Sequence, residues 1–358
     1  MRDFDILEKF GHEQIIYCSD KEAGLRAIIA IHDTTLGPAI GGTRMWNYKS
    51  VEEALIDVLR LSRGMTYKAA VSGLNLGGGQ AVIIGDSQKD KSELLFRTFG
   101  KFVDGLGGRY ITAEDLGTDV KDMEFVRMET KHVTGISRAL GGSGDPAPVS
   151  AYGVYLGMKA CAKVRWGNDS LENKKIVLQG AGHVARYLAE HLHNEGAILF
   201  IADIIPERAE KLAGTVRADV VHPSEVYDFE GDIFAPSALG GILNDETIPK
   251  LKYKIVAGAA NNQLEDEDKH GKMLMDKGIL YAPDYVINAG GLINVANELE
   301  GYRQDRALKR AEGIYDIIMK VLKTSQEENI PTNKASDMLA EERLNKIGRI
   351  KTIFSSGK

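Results

Sequence analysis

The stretch KIVLQGAGHVARYLAEHLHNEGAILFIAD, residues 175–203, decides the fold. Lys175-Ile-Val-Leu-Gln179 reads as a strand that enters Gly180-Ala-Gly-His-Val-Ala185. Residues 183–195 carry a helical pattern, and Ala197 to Ile201 reads as the next strand, ending at Asp203. The spacing Gly180-x-Gly182-x-x-Ala185 gives each small residue a task. Gly180 makes the tight turn, Gly182 lets backbone amides reach a pyrophosphate, and Ala185 permits close helix–strand packing. The helix N-terminus, with Ala181, His183 and Val184 around it, offers positive partial charge to phosphates. Asp203 lies 18 residues beyond Ala185, where a carboxylate accepts a hydrogen bond from a ribose 2′-hydroxyl. Asp203-Ile204-Ile205-Pro206 offers no Arg or Lys for a 2′-phosphate, so NAD is expected over NADP.

Working outward, short apolar runs follow at 218–221, 232–235, 255–258 and 279–282, and Ala151 to Val164 looks helical. Strands alternating with helices imply βαβ units and a parallel sheet. Towards the N-terminus, Gln14–Cys18 and Leu25–His32 are β-rich, the second running into a glycine loop at 36–42. Residues 51–63 place Ala54, Leu55, Val58, Leu59 and Ser62 at helical spacing. A strand at 81–84, a helix at about 90–104 and a strand at 109–112 follow. The charged helices at 303–325 and 334–346 should fold back, since free helices of that composition are marginal. The amphipathic basic stripe at 307–323 is expected to pack on its own protein. The expected fold class is α/β in two domains: an N-terminal α/β domain, and a C-terminal Rossmann doubly wound domain for NAD. The expected boundaries are 1–145 with about 328–358, and 146–327.

Composition bounds the function. A chain of 358 residues favours two domains. With 45 Lys+Arg against 51 Asp+Glu the net charge is −6, which argues against a nucleic-acid surface. Hydrophobic residues make up 43% and charged residues 27%, the balance of a globular chain. No apolar run reaches the ~18–20 residues that span a bilayer, and the first twenty residues carry acids and no signal-peptide core. Cys18 and Cys161 are too few for a disulfide framework. The eight histidines show no metal spacing, and no metal is expected; His191 and His193, two apart on a helix, cannot face one ligand. A soluble cytoplasmic protein is expected. Glycine is abundant, 39 residues, clustered in LGPAIGG (36–42), LNLGGG (74–79), GGSG (141–144), GAG (180–182) and NAGG (288–291). Such clusters at strand ends suggest a lined cleft.

The blocks DTTLGPAIGGTRMW (33–46), GMTYKAAVSGLNLGGGQAVI (64–83), RYITAEDLGT (109–118), APSALG (235–240), AGAANNQL (257–264) and YAPDYVINAGGLINVANE (281–298) resemble the amino-acid dehydrogenases. The resemblance runs from about residue 12 to the C-terminal helices and is strongest to the leucine dehydrogenase branch, with its valine and phenylalanine relatives. It implies a substrate domain, a Rossmann NAD domain and a cleft between them. The implied reaction is reversible oxidative deamination of an L-amino acid to a 2-oxo acid and ammonia, with hydride passing to NAD.

The chemistry needs a cation for the substrate carboxylate. Lys68 matches the family's lysine for this role, and the backbone of Gly41 and Gly42 is placed to help. It also needs an acid–base group at the amine nitrogen, and Asp115 matches the family's catalytic aspartate. Alone, Lys68 reads equally as a solvated helix-end charge and Asp115 as a cap before Leu116-Gly117. The third group is missing: where the family has a lysine that activates water, this chain has Gln80. A glutamine orients water by hydrogen bonds but has neither charge nor titratable proton. General acid–base catalysis is worth about 10²–10⁴-fold, so a slow or retuned deaminase is expected.

Carried over from the resemblance, Ile40, Met65, Ala113, Thr134, Leu292 and Val295 form an apolar side-chain pocket suited to branched aliphatic groups. Asn261, Asn262 and Asn288 fall where the family places amides for cofactor and substrate. Ser150 stands near the nicotinamide amide, and Ala238 lies in the APSALG block of the cofactor side. One methylene gives only ~1–3 kcal/mol of discrimination, so leucine, valine, isoleucine and phenylalanine are not ranked. The family is oligomeric, commonly octameric in this branch, and the termini are expected to contribute to subunit contacts. Two alternatives stand beside deamination: an imine reductase-like enzyme, which needs no water step, and an NAD-binding paralogue without turnover.

Overall fold

The computed structural model describes residues 7, 8 and 10–353. The chain divides into two compact units, each described by itself below. The first comprises the residues up to Asp145, with Val295–Gln304 and the residues from Ala340 on. The second comprises Pro146–Asn294 and Asp305–Leu339.

The first unit is built on five strands, β1 (Gln14–Asp20), β2 (Leu25–Asp33), β3 (Ala39–Trp46), β4 (Gly77–Ile84) and β5 (Tyr110–Glu114), in the order β1-β2-β4-β3-β5. β1 and β4 run antiparallel to β2, and β3 lies parallel to both β4 and β5. Both faces are covered, so β2 is a continuous apolar run whose alternate residues point opposite ways. Ile28 and Ala30 meet helix α1 (Val51–Val71) at Ala54, Leu55, Val58 and Leu59. Ala27, Ile29 and Ile31 meet α2 (Glu93–Asp104) and α3 (Val120–Arg127) through Phe96, Phe99, Val103 and Val126.

Helix α1 runs eight residues beyond the expected 51–63, through Gly64 to Val71. The reason lies in the strand beneath it. A Cβ on Gly78 would collide with the backbone nitrogen and hydroxyl of Thr66, so the glycine lets helix and sheet approach and hold the last turns. The glycines expected in loops at 41–42 and 77–79 are therefore strand residues.

Two histidines are sealed under α1. His12 Nε2 lies 2.8 Å from Ser62 Oγ, which itself donates to the Val58 carbonyl at 2.7 Å; the imidazole is thus the donor. His32 Nδ1 lies 2.8 Å from Thr66 Oγ1, and the two rings stand 4.8 Å apart edge to face. Burial pushes His12 down to about 4, helped by His32. Burial pushes His32 to about 4 as well, helped by Arg63.

The second unit holds β6 (Lys175–Gln179), β7 (Ile198–Ala202), β8 (Asp219–Val220), β9 (Ile233–Pro236), β10 (Ile255–Val256) and β11 (Leu280–Tyr281). All ladders are parallel, in the order β11-β10-β9-β6-β7-β8. Counted from β6 this is 3-2-1-4-5-6, the doubly wound dinucleotide-binding order, with its switch point between β6 and β9. Helix α4 (Ala147–Trp166) leads into β6, and α5 (His183–Asn194) follows it. The expected basic helix at 307–323 is two helices, Gln304–Ala311 and Gly313–Glu328, meeting at Glu312. The apolar stripe of the second, Ile314, Ile318, Val321 and Leu322, is buried, with Ile314 seated over Gly153 of α4. The C-terminal helix, Thr332–Ile353, returns to the first unit beyond Ala340. There Arg343 donates to the carbonyls of Leu74 at 2.6 Å and Gly73 at 3.1 Å. The chain termini, expected at subunit contacts, lie outside the described residues.

The buried histidine pair sets an acid limit on stability. A base whose folded pKa is depressed contributes stability above its unfolded value and loses it as pH falls towards the folded one. Unfolding free energy should therefore fall between pH 6.5 and about 4, on the order of 3 kcal/mol for the pair after allowance for their coupling. Urea titrations across that window check this, with His32→Gln expected to flatten the slope; an equally steep slope in that variant would remove the pair as its cause.

Candidate active site

The first unit gathers one hydrogen-bonded chain across the middle of β3 and β4 and the C-terminal end of β5. Gln80, 3% exposed on β4, is engaged through both amide atoms. Its Oε1 accepts from the Gly42 backbone N–H at 2.9 Å, and its Nε2 donates to Asp115 Oδ2 at 2.8 Å. The β3–β4 ladder pairs Ile40 with Gly78 and resumes at Thr43 with Ala81; the Gln80 side chain fills the interval. Asp115 stands one residue beyond β5. Its Oδ2 also accepts from Arg44 Nε at 3.1 Å, and Arg44 in turn donates to Asp57 Oδ2 at 3.1 Å. Tyr48 closes the chain by donating to Asp57 at 2.6 Å.

The electrostatics follow from burial and sign. Burial works against the Arg44 charge, but Asp115 and Asp57 outweigh it and hold its pKa above the ordinary value. Tyr48 is raised by burial and by its bond to Asp57. Glu114, on β5, is pushed up to about 7 by burial, with Asp145, Asp119 and Asp115 adding to the rise.

The other sequence-predicted residues of this unit sit around the chain. Gly41 and Gly42 lie on β3, and the Tyr110 hydroxyl donates to both their carbonyls. The Gly42 N–H, a candidate donor to substrate, is the one spent on Gln80. Lys68 and Met65 ride the last turns of α1, both half-buried. Ile40 and Thr134 are closed from solvent, and Ala113 is buried on β5. Thr134 belongs to a loop fastened by Glu298, whose Oε1 accepts from the backbone N–H groups of Gly135 at 2.9 Å and Ser143 at 2.7 Å and from the Ser143 hydroxyl. Val295 belongs to this unit and Leu292 to the other.

In the second unit the glycine turn is built for an anion. Gly180 has φ +109°, and a Cβ there would lie 2.9 Å from Ala238 Cβ and the Ser237 carbonyl, so only glycine fits. Ser237 N–H donates to the Gln179 carbonyl at 2.8 Å, bringing the 237–238 loop to the switch point. Space opens in front of Gly182, and no side chain caps α5, whose first amides point into it. Asp203 accepts from Ala181 N at 2.8 Å and from Ile205 N at 2.8 Å, one bond to each oxygen. That leaves lone pairs for a ribose hydroxyl. Asn288 donates to Asn261 Oδ1 at 2.7 Å, and its own buried Oδ1 has no partner among the described residues. Ser150 Oγ lies against Gly291, and Asn262 sits in the left-handed region at φ +51°. An uncapped helix, open space and an orphaned amide oxygen fit a dinucleotide.

Sequence reasoning missed Arg44, Asp57, Tyr48 and Glu298. A signal existed for Arg44 and Asp57: a lone arginine in the otherwise apolar strand GGTRMW, and a lone aspartate among the apolar residues of α1.

A parallel 3-2-1-4-5-6 sheet with this turn at its switch point defines the dinucleotide-binding doubly wound class. The comparisons narrow it. The family described as "Glu/Leu/Phe/Val dehydrogenase, dimerisation domain" matches residues 12–132, and "Glutamate/Leucine/Phenylalanine/Valine dehydrogenase" matches residues 201–349. The chain is 59% identical over 354 residues to a leucine dehydrogenase of Thermoactinomyces intermedius, covering 99% of this chain and 96% of that one. It is 49% identical over 349 residues to an L-tryptophan dehydrogenase of Nostoc punctiforme, covering 98% of each. The crystal structure of the L-tryptophan dehydrogenase of that organism superposes with a TM-score of 0.84 at 47% identity, over 96% of this chain and 99% of that chain. A hetero-hexameric glutamate dehydrogenase of Thermus thermophilus gives 0.78 at 25% identity, over 95% and 90%. The chain belongs to the Glu/Leu/Phe/Val dehydrogenase family, as a leucine dehydrogenase-like member that uses NAD on a CH–NH2 donor.

Glu114 provides a sign test of the site's electrostatics. An acid raised in the folded state contributes stability below its unfolded pKa of 4.5, and that stability is lost as pH rises through about 7. Glu114→Gln should therefore melt higher than the parent at pH 8, and the gap should close at pH 5. Thermal melts at the two pH values check it; no gap at pH 8 would contradict the burial of a charge there.

Proposed function

We propose that this chain carries out reversible oxidative deamination of a branched-chain or other apolar L-amino acid, at a rate limited by Gln80. The observation that carries the reading is Gln80, held between Gly42 N–H and Asp115, the proposed acid–base group. Lys68 receives the substrate carboxylate, and Asp115 moves the proton at the substrate nitrogen through Oδ1, the oxygen that neither Arg44 nor Gln80 occupies. Ile40, Met65, Ala113, Thr134, Leu292 and Val295 supply the apolar side-chain surface, with no charge for an acidic substrate. Asn262 joins the substrate side. The relatives named for leucine and tryptophan support an apolar amino acid.

NAD supplies the hydride acceptor when bound. Gly180, Ala181, Gly182, His183 and Val184 hold its pyrophosphate, Asp203 its ribose, and Ser150, Ala238, Asn261 and Asn288 its nicotinamide side. The units split the work, the first binding substrate and the second NAD. We place the protein in the cytoplasm as a homo-oligomer, octameric by resemblance; among the described residues no helix is long and apolar enough to cross a membrane.

Gln80 has neither charge nor titratable proton with which to activate water, and one N–H and one lone pair of its amide are spent on Asp115 and Gly42. That favours a second reading in which the better substrate is a preformed imine. Reduction of C=N takes a hydride at carbon and a proton from Asp115 at nitrogen, with no water added. The panel that separates the readings offers L-leucine, ammonia with the matching 2-oxo acid, and a cyclic imino acid. Binding of NAD with turnover of none would point to a non-catalytic paralogue.

Two variants test the site. Gln80→Lys should raise kcat for L-leucine by an order of magnitude or more, within the ~10²–10⁴-fold of a general base, and add a pH dependence that the parent lacks. Parent turnover at ~10 s⁻¹, without gain in the variant, would give the lysine's task to another group. Lys68→Ala should raise the apparent KM for the amino acid and leave NAD affinity unchanged; an unchanged KM would take Lys68 out of the site.

A further inference from the structure

We infer that Arg44, held in turn by Asp57, is the positioning residue that fixes the Asp115 carboxylate for proton transfer at the substrate nitrogen. The inference rests on the reading of Asp115 as the acid–base group and assigns what aims it. Asp115 lies just past the end of β5, in the segment leading to α3, where a carboxylate has rotamer freedom. Two bonds remove that freedom, both to Oδ2: Arg44 Nε at 3.1 Å and Gln80 Nε2 at 2.8 Å. Oδ1 is thereby turned away from both.

Of the two partners only Arg44 carries charge. Its side chain is 17% exposed and that of Asp115 25%, so the pair is shielded enough for charge to count. Arg44 is itself aimed. Its second edge, NH1, binds Asp57 Oδ2 at 3.1 Å, and Tyr48 fixes that carboxylate at 2.6 Å. A fork gripped at both edges is preorganised, whereas a lysine ammonium at this place would be a point charge on a flexible stem. The charged and titratable groups around Asp115 are Arg44 on β3, Asp57 on α1 behind it, Glu114 and Tyr110 on β5, and Tyr48 after β3. Arg44 is the cation bonded to Asp115, at 3.1 Å.

The chain Tyr48–Asp57–Arg44–Asp115 thus links the apolar helix α1 to the reacting end of the sheet. Asp57 touches nothing of the substrate surface assigned above. Its neutralisation should still be felt in turnover, because Arg44 would lose its second anchor. A purely structural role for Asp57 would show in melting temperature and leave kinetics alone.

The test uses the full-length protein, in the parent and in the Gln80→Lys background, with ammonia and the 2-oxo acid of leucine. Four variants are compared: Arg44→Ala, Arg44→Lys, Asp57→Asn and Asp115→Asn. Arg44→Ala should lower kcat by about 10²-fold, the usual penalty of a misplaced group, with KM within about twofold. Arg44→Lys should recover only part of kcat, since a point charge on a flexible stem replaces the fork. Asp57→Asn keeps the shape and the Tyr48 contact, so it remains informative if Arg44→Ala does not fold; it should lower kcat by about 3–10-fold at an unchanged KM. Loss of turnover in Asp115→Asn with a normal kcat in Arg44→Ala and Asp57→Asn would overturn the inference. Normal turnover in Asp115→Asn would instead overturn the reading of Asp115 on which it rests.

Discussion

Backbone meets backbone where β3, β4 and α1 converge, and the site depends on that approach. A Cβ on Gly41 would fall onto the Gly79 carbonyl, one on Gly78 onto the Thr66 amide, and one on Gly42 onto Asp115 Cβ at 2.6 Å. Overpacking of a core costs about 1–3 kcal/mol even when the contact is with movable side chains. Here Gly41 would meet backbone of the sheet and Gly78 backbone of α1, neither of which can swing aside. Glycine at these positions lets α1 run on past Gly64 and deliver Met65 and Lys68 at its last turns. It also brings Asp115 against β3, within reach of Arg44 and Gln80.

The same crowding explains why one side chain at position 80 matters so much. Between Ile40–Gly78 and Thr43–Ala81 the β3–β4 ladder is not bridged by backbone, and a buried N–H at Gly42 needs an acceptor. Gln80 supplies it with Oε1 and donates one of its two N–H groups to Asp115. An amide is the side chain that satisfies an N–H on one side and a carboxylate on the other. A lysine, with three donors and no acceptor, can serve only the carboxylate. The residue proposed to limit water activation therefore also ties β3, β4 and Asp115 together through its amide.

How much was legible in the sequence follows from which forces are local. The Rossmann unit was readable because strand, glycine turn, helix and Asp203 lie within thirty residues and each has a short-range reason. Asp203 was read as a ribose acceptor. The structure adds that it first organises the turn, accepting from Ala181 and Ile205. The extent of α1 was not readable, since Gly64 looks like a stop unless Gly78 is known to lie beneath it. The glycines at 41–42 and 77–79 read as loops for the same reason: glycine weakens a strand on its own, and only the opposing backbone shows why it stays. Arg44 and Asp57 are 13 residues apart, on a strand and a helix, and their pairing with Asp115 joins segments 71 residues apart. No periodicity carries such a contact.

Placed side by side, the two chemistries of the first unit pull in opposite directions. Beneath α1, His12 and His32 are kept neutral by burial, and nothing nearby carries an opposite charge strong enough to reverse it. At the end of β5, Glu114 is also driven towards its neutral form, by burial and by the surrounding carboxylates. Between these groups Arg44 sits against two carboxylates, Asp57 and Asp115, each at 3.1 Å, and they hold its pKa above the ordinary value. One arginine facing two carboxylates leaves a net negative charge beside the proposed substrate nitrogen. That sign suits an ammonium or iminium and opposes a second carboxylate. With Lys68 proposed as the anchor of the one α-carboxylate, this cluster gives the ammonium and the carboxylate of an apolar amino acid a partner each.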